Sequence, residues 1–524
     1  WQATAVALAT ENTRLASELR AASSGAGGQA AAAAVAYIQG GDLWVKTLPD
    51  GEARRLTHDG RNRQPRWSAS GEWLAYLQGE DFPQLWIVRR NGKDAQMVMD
   101  AQPGAHFAWS PSGDVLAYVS GNGIALWQPV GATSTPLVTK EMPQSPPEPP
   151  LPPEASGMGA GSLAWSPDGV WLAYEWSHWD AAAEEIRHGI WKIAMSGGDP
   201  IQLYDSGLPE RGQALLAGWT GDGNYILFWQ GQVLSASMLA DGVPLYALPA
   251  AGGEAQLLAE PVLFHRDFVV PHPGEQPAVA LVVGGYRATW TAKQLQVAAL
   301  GPETVQLQPV SSAAQAVSSP AWAPAGDVLA FVAMPDKGDL GGGPDAQAGL
   351  MARRLWLWEA EGESPRQLTD DPRYRDERPQ WLDDQRLLFA RLDDGGRASL
   401  WLTNVAGGEA QQVVAELTPA PEWFGYYGYI HWDELFVAWA PPAPPPSTTQ
   451  EPLPTVAPPA GIATPVVSPV EAPTPVPPTP ALPAQGTVRP PSVELFPTLE
   501  ATALPPSITP TATPITTATA QPQN

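Results

Sequence analysis

The stretch WSHWDAAAEEIRH at 176–188 gathers Trp176, His178, Trp179, Asp180, Arg187 and His188 in one short segment. Indole rings offer broad, flat surface that anchors a protein partner or stacks on a sugar, while flanking charges fix orientation. A second cluster, RYRDER, supplies Tyr374, Arg375, Asp376 and Arg378. Each has a plainer use: the tryptophans can pin a short helix, DAAAEEIR, onto a scaffold, and the second cluster can spend its charges on internal salt bridges. The expected binding set is Trp176, His178, Trp179, Asp180, Arg187, Tyr374, Arg375 and Asp376.

Catalytic patterns are missing. There is no G-x-S-x-G elbow, no H-E-x-x-H, and GGGP at 341–344 has neither the lysine nor the expected following helix of a phosphate loop. Glu184 and Glu185 are sequence neighbours that point apart on a helix and cannot flank one glycosidic bond. The acidic stretches DKGD and TDDP do not meet the calcium-loop pattern. Cysteine is absent, which removes disulfides and thiolate metal sites. The expectation is a non-enzyme without metal or cofactor. A glycan- or peptide-processing enzyme with its site on the same loops is one alternative, and the sensor domain of a larger membrane protein is another.

The elements that would position these residues are repeats. WSPDGVWLAY at 165–174 returns as WSPSGDVLAY from Trp109, WSASGEWLAY from Trp67, WAPAGDVLAF from Trp322 and, in worn form, WTGDGNYILF from Trp219. In SPDG, proline presets φ and glycine accepts a positive φ, so the motif is a tight turn between antiparallel strands. Each unit then offers a second strand, a third (GIWKIAM) and a fourth (IQLYD). One small sheet cannot bury both faces, whereas a ring of them stacks face on face. Second strands near residues 36, 74, 116, 172, 226, 279, 329 and 388 predict an all-β, eight-bladed propeller over 31–440, with seven blades the alternative. The expected closure pairs the chain's two ends: YYGYIHW, with Trp432 in the repeated tryptophan's place, completes the unit that begins at AVAYIQ. ELFVAWA at 434–440 competes as a further second strand. The repeated tryptophans at 67, 109, 165, 219, 322, 381 and 432 are expected to pack between neighbouring blades.

This repeat resembles that of TolB-type propellers, the WD40-like (PD40) group also found in the propeller of prolyl oligopeptidase-family enzymes, over roughly 34–440. The resemblance implies an interaction or scaffold domain, here without the hydrolase domain of those enzymes.

The flanks differ. Residues 1–30 open with a predicted helix placing Leu8, Leu15 and Leu19 on one stripe, followed by a linker. Residues 441–524 hold 25 of the chain's 59 prolines among Thr, Ser and Ala, and predict a disordered Pro/Thr-rich spacer of the kind that carries O-linked glycans at cell surfaces. The net charge is -25, which opposes nucleic acid and anionic lipid. The expected setting is extracellular or at the cell surface, with a membrane tether upstream of Trp1 and a protein or surface glycan as partner.

Overall fold

In a computed structural model, the described residues run from 32 to 441, apart from 81, 101–105, 140–158, 181–184, 208–211, 232–240, 303, 339–340, 361, 363 and 419–426. The expected N-terminal helix, the Pro/Thr tail and most of the proline-rich insertion at 140–159 lie outside them.

Among the described residues thirty-two strands fall into eight groups of four, successive along the chain except that the last strand joins the first group, in an all-β, propeller-like arrangement. Six groups are separate four-stranded antiparallel sheets, and the fifth and sixth join into one eight-stranded sheet through the single pair Val262 and Val283. The turns are built as the sequence implies. In the fourth unit Gly169 N–H donates to Ser166 O (2.8 Å), Ser166 Oγ donates to Asp168 Oδ1, and Gly169 sits at φ +72°. Thr220, Asp222 and Gly223 repeat this in the fifth.

Burial explains why the second strands read as continuous apolar runs rather than alternating ones. Side chains alternate sides along a strand, and here both sides are covered. Trp73, Ala75 and Leu77 pack toward the third unit, while Leu74 and Tyr76 pack back toward the first. Leu172 and Tyr174 face the third unit, and Ala173 faces the fifth. Every hydrophobic cluster but one small loop cluster joins neighbouring units in this way, and one unites Leu388 and Leu400 of the eighth unit with Tyr37 and Phe436 of the first and Leu74 of the second. Fourth strands such as Ala53–Arg55 are exposed.

The first unit is completed from the far end of the chain, but by a different segment from the one expected. Phe436–Trp439 pairs antiparallel with Ala34–Tyr37, with Ala34 opposite Trp439. Trp432 instead lies in a short 3-10 turn, Trp432–Glu434, and is fully buried. FVAW is therefore the missing first strand, and its competition with AVAYIQ is resolved by placing the two side by side. Trp439 takes the repeated position.

The repeated tryptophans link units as expected. Trp109, Trp165, Trp219 and Trp381 each donate their indole N–H to the carbonyl just before the tryptophan of the preceding unit, at Arg66, Ala108, Ala164 and Ala321 (2.8–3.1 Å). Trp67 donates to Val437 O at 3.1 Å across the join of the two chain ends. Among the described residues no helix is long and apolar enough to cross a membrane.

Candidate functional site

The segment holding the first predicted cluster is a β-hairpin, not a pinned helix. Trp171–Asp180 pairs throughout with Glu185–Ala194, so His178 stands opposite Arg187 and Ser177 opposite His188. Of DAAAEEIR, Asp180 and Glu185–Arg187 lie in paired strands that extend the ladder of the fourth unit outward, and 181–184 lie outside the described residues. Trp176 lies edge-on to Tyr174 (6.2 Å between centroids), Arg187 reaches within 4.0 Å of Asp205, and Ser177 Oγ is 2.8 Å from His188 Nδ1. Trp179 and Asp180 continue the strand, and their side chains are outside the described set.

At the base of the hairpin a cavity of about 200 Å³ is lined by Gly159–Gly161, Glu175–Ser177, His188–Gly189 and Gln213–Leu215. Glu175 accepts N–H bonds from Leu216 (2.6 Å) and Ser162 (3.3 Å). Burial nevertheless raises its pKa, since the bonds only partly offset desolvation of the anion.

The second predicted cluster is structural. Tyr374, Arg375 and Asp376 lie on the strand Tyr374–Asp383 of the eighth unit rather than on an open loop. Asp376 is wholly buried, accepting from Arg391 Nε (2.8 Å) and from Thr369 Oγ1. Arg391 in turn lies over the rings of Tyr374 and Trp401. Arg353 and Glu377 form a buried pair at 2.7 Å, and Arg375 Nε lies 3.4 Å from the same carboxylate. The plainer reading of internal salt bridges describes this cluster, because buried charges must be paired. The structure leaves the two predicted clusters apart, in the fourth and eighth units.

A third grouping was not anticipated. The first strand of most units packs on that of the next, and charged groups from several units meet around their inner ends. Arg66 of the second unit donates to Asp433 Oδ2 (2.8 Å), and Arg378 of the eighth donates to Asp267 Oδ2 (2.6 Å) while lying 4.0 Å from Asp433 Oδ1. Tyr429 donates to Asp267, Arg266 reaches Leu163 O of the fourth unit (3.3 Å), and the rings of His265 and His431 stand 4.9 Å apart. Burial would raise the pKa of Asp433, but Arg66 and Arg378 outweigh it and hold the carboxyl well below its usual range. Burial and the neighbouring His265 lower His431 to about 4.

Backbone strain marks the same place. Gln64, Ser319 and Arg378 adopt φ of +56°, +50° and +44°, each at a bulge in a first strand and each followed by proline. The sequence signal was available: QPRW, SPAW and RPQW put a proline two residues before the repeated tryptophan in three units. Pro271, Pro320, Pro379, Trp322 and Trp381 line a second cavity of about 380 Å³ that ends on Asp267 and Arg378.

No protein-family profile and no curated protein matches the sequence. Solved structures do. A prolyl endopeptidase aligns over 67% of this chain and 49% of its own at 11% identity and TM-score 0.43. TolB from Acinetobacter baumannii aligns over 74% and 64% at 12% and 0.34, and Porphyromonas gingivalis dipeptidyl peptidase 4 over 74% and 60% at 10% and 0.47. The chain thus spans about half to two thirds of these proteins. Likeness at this level concerns architecture alone, which here rests on the strand pairing itself.

Proposed function

We propose that the eight units close into one eight-bladed propeller acting as a non-catalytic interaction module at the cell exterior, where it binds a protein or surface glycan through the face bearing the long hairpin. The observation that carries this reading is the hairpin's length. Its two strands have ten residues each, against six in the corresponding strands Trp73–Gln78 and Gln84–Arg89 of the second unit. The added residues of the two strands, 177–180 and 185–188, extend the paired ladder beyond the six-residue length and carry His178 and Arg187, with Trp176 at their base; a binding element on a rigid support is the usual way a scaffold presents one. Closure is supported by the pairing of Ala34–Tyr37 with Phe436–Trp439 and by the hydrophobic cluster that spans the eighth, first and second units. The Pro/Thr-rich composition of residues 441–524 suits the same setting.

The test uses the full chain and a variant in which 178–187 is replaced by a short Gly/Ser turn, both immobilised and exposed to solubilised envelope and to a panel of surface glycans. A partner held by the intact chain alone supports the proposal. Equal retention by both, or none, sinks the assignment to the hairpin.

One observation favours a hydrolytic reading. Ser177 and His188 are hydrogen-bonded above a cavity that also holds Glu175, as a nucleophile and base would be. Against it, Glu175 is bonded to backbone amides, and among the described residues no carboxylate bonds to His188. Fluorophosphonate labelling abolished by Ser177→Ala would favour hydrolysis, and absence of labelling would leave the binding reading.

A further inference from the structure

Two imidazoles and a carboxylate converge where the turn before the sixth unit meets the turn before the closing strand. One ligand nitrogen each from His265 and His431 and one carboxylate oxygen from Asp433 lie within 4.8 Å of one another. Asp433 divides its oxygens unequally. Oδ2 accepts from Arg66, whereas Oδ1 is buried without a hydrogen bond, 3.9 Å from His431 Nδ1. A buried carboxylate oxygen left without a hydrogen bond calls for a partner; Arg378 stands 4.0 Å from it, beyond bonding distance.

We propose that His265, His431 and Asp433 form a site for one divalent transition-metal ion of the zinc class, which ties the C-terminal closing segment to the turn before the sixth unit. Imidazole with one carboxylate suits such ions rather than calcium or magnesium, which prefer oxygen donors. Bonds of about 2.0–2.2 Å to nitrogen and oxygen require the three donors to draw in by roughly 1 Å, a movement of side-chain rotation. Two features temper the affinity. Asp267 N–H occupies His265 Nδ1 at 3.1 Å and competes for that lone pair. Arg66 and Arg378 add positive charge nearby, offset by Asp267 and Asp433. With no cysteine in the chain, thiolates cannot compete.

The site also has a structural consequence that distinguishes it from a surface ion. His431 and Asp433 flank Trp432, directly before the strand that completes the first unit. His265 caps the turn leading into the sixth, its ring accepting from Asp267 N–H. An ion bound here stabilises the joined state by RT ln(1 + c/Kd), where c is the free ion concentration.

The full 524-residue chain, stripped with EDTA and dialysed, is titrated with Co²⁺ and then Zn²⁺, following visible absorption and heat. The expected result is one equivalent bound per chain, displaced by zinc, with affinity lowered at least about tenfold in His265→Ala and in His431→Ala. His58→Ala, which removes an exposed imidazole outside both sites, should bind as the parent does. Paramagnetic shifts in the parent provide a check that needs no variant: of the seven histidines, two should have their ring signals displaced by Co²⁺. Absence of stoichiometric binding, shifts at other histidines, or undiminished affinity in both single variants would each overturn the site.

Discussion

The join between the chain's ends gives the most direct test of the architecture. Phe436 lies on the completing strand, is fully buried, and packs in the cluster shared by the eighth, first and second units. Replacing it with alanine removes a whole aromatic side chain from a site walled by Tyr37, Leu388 and their neighbours, and truncations of this kind cost about 3–5 kcal/mol. A folded body of roughly 410 residues unfolds with an entropy of about 0.9 kcal/mol per kelvin, at about 2.1 cal/mol/K per residue. The midpoint should then fall by about 3–6 °C, provided the units melt together. Phe82→Ala is the control, because Phe82 is 80% exposed and makes no core. Its effect should stay within about 0.5 kcal/mol, near half a degree. Differential scanning calorimetry of both variants against the parent, with ligand-free buffer throughout, reads the difference. Were Phe436→Ala to melt within a degree of the parent, the C-terminal strand would not be part of the cooperative body and closure would fail as an explanation.

Other consequences are equally concrete. Gly71 sits at φ +70°, and an added Cβ would stand 2.3 Å from the ring of Trp439; Gly71→Ala should destabilise by more than about 1 kcal/mol in urea unfolding, and a neutral result would contradict the packing at the join. Arg353→Met leaves the buried Glu377 with only Arg375, 3.4 Å away, and should cost about 3–5 kcal/mol, whereas the double variant Arg353→Met/Glu377→Leu should recover part of it, the bonds of Arg353 to Gly428 O and Thr289 staying lost; no recovery would mean the pair is not the source of the loss. Glu175 has a raised folded pKa, so the folded state holds a proton that the unfolded chain releases above about pH 4.3, and its contribution is lost as pH rises through the folded value. Glu175→Gln should therefore be as stable as the parent near pH 4 and relatively more stable toward pH 7, measured by midpoint against pH, and a gap that widens toward acid would reverse that sign.

The repeat was readable because its signals are local. In six units the turn and the apolar second strand lie within ten residues of a repeated tryptophan, and in the first and sixth the apolar run and the spacing alone mark the second strand, so the eight second strands fall where the sequence puts them. Misreadings arose where a local preference met a longer-range partner. DAAAEEIR has helical propensity, yet Ile186, His188 and Ile190 alternate against Trp179, Ser177 and Glu175, and the paired ladder prevails. Trp432 and Trp439 both follow short apolar runs, and only the register with Ala34 separates a strand from a buried turn. Tyr374, Arg375 and Asp376 looked like a surface loop because charge density suggests solvent. Arg391, which bonds Asp376, belongs to the next strand over, and Arg353, which pairs with Glu377, belongs to the preceding unit. The grouping of His265 with His431 and Asp433 could not be seen at all, since His265 lies more than 160 residues from the other two and meets them only through the order of the units.

The direction of the closing pair bears on mechanics. Ala34 faces Trp439 in an antiparallel ladder, so the chain enters and leaves the folded body at the same end of the same two strands. Force applied between a segment before residue 32 and one after 441 would load these bonds one after another, in the manner of a zip, instead of shearing them all at once. A body built this way yields first at its own clasp under tension, while the sheets of the other units, which share no such pull, keep their shape.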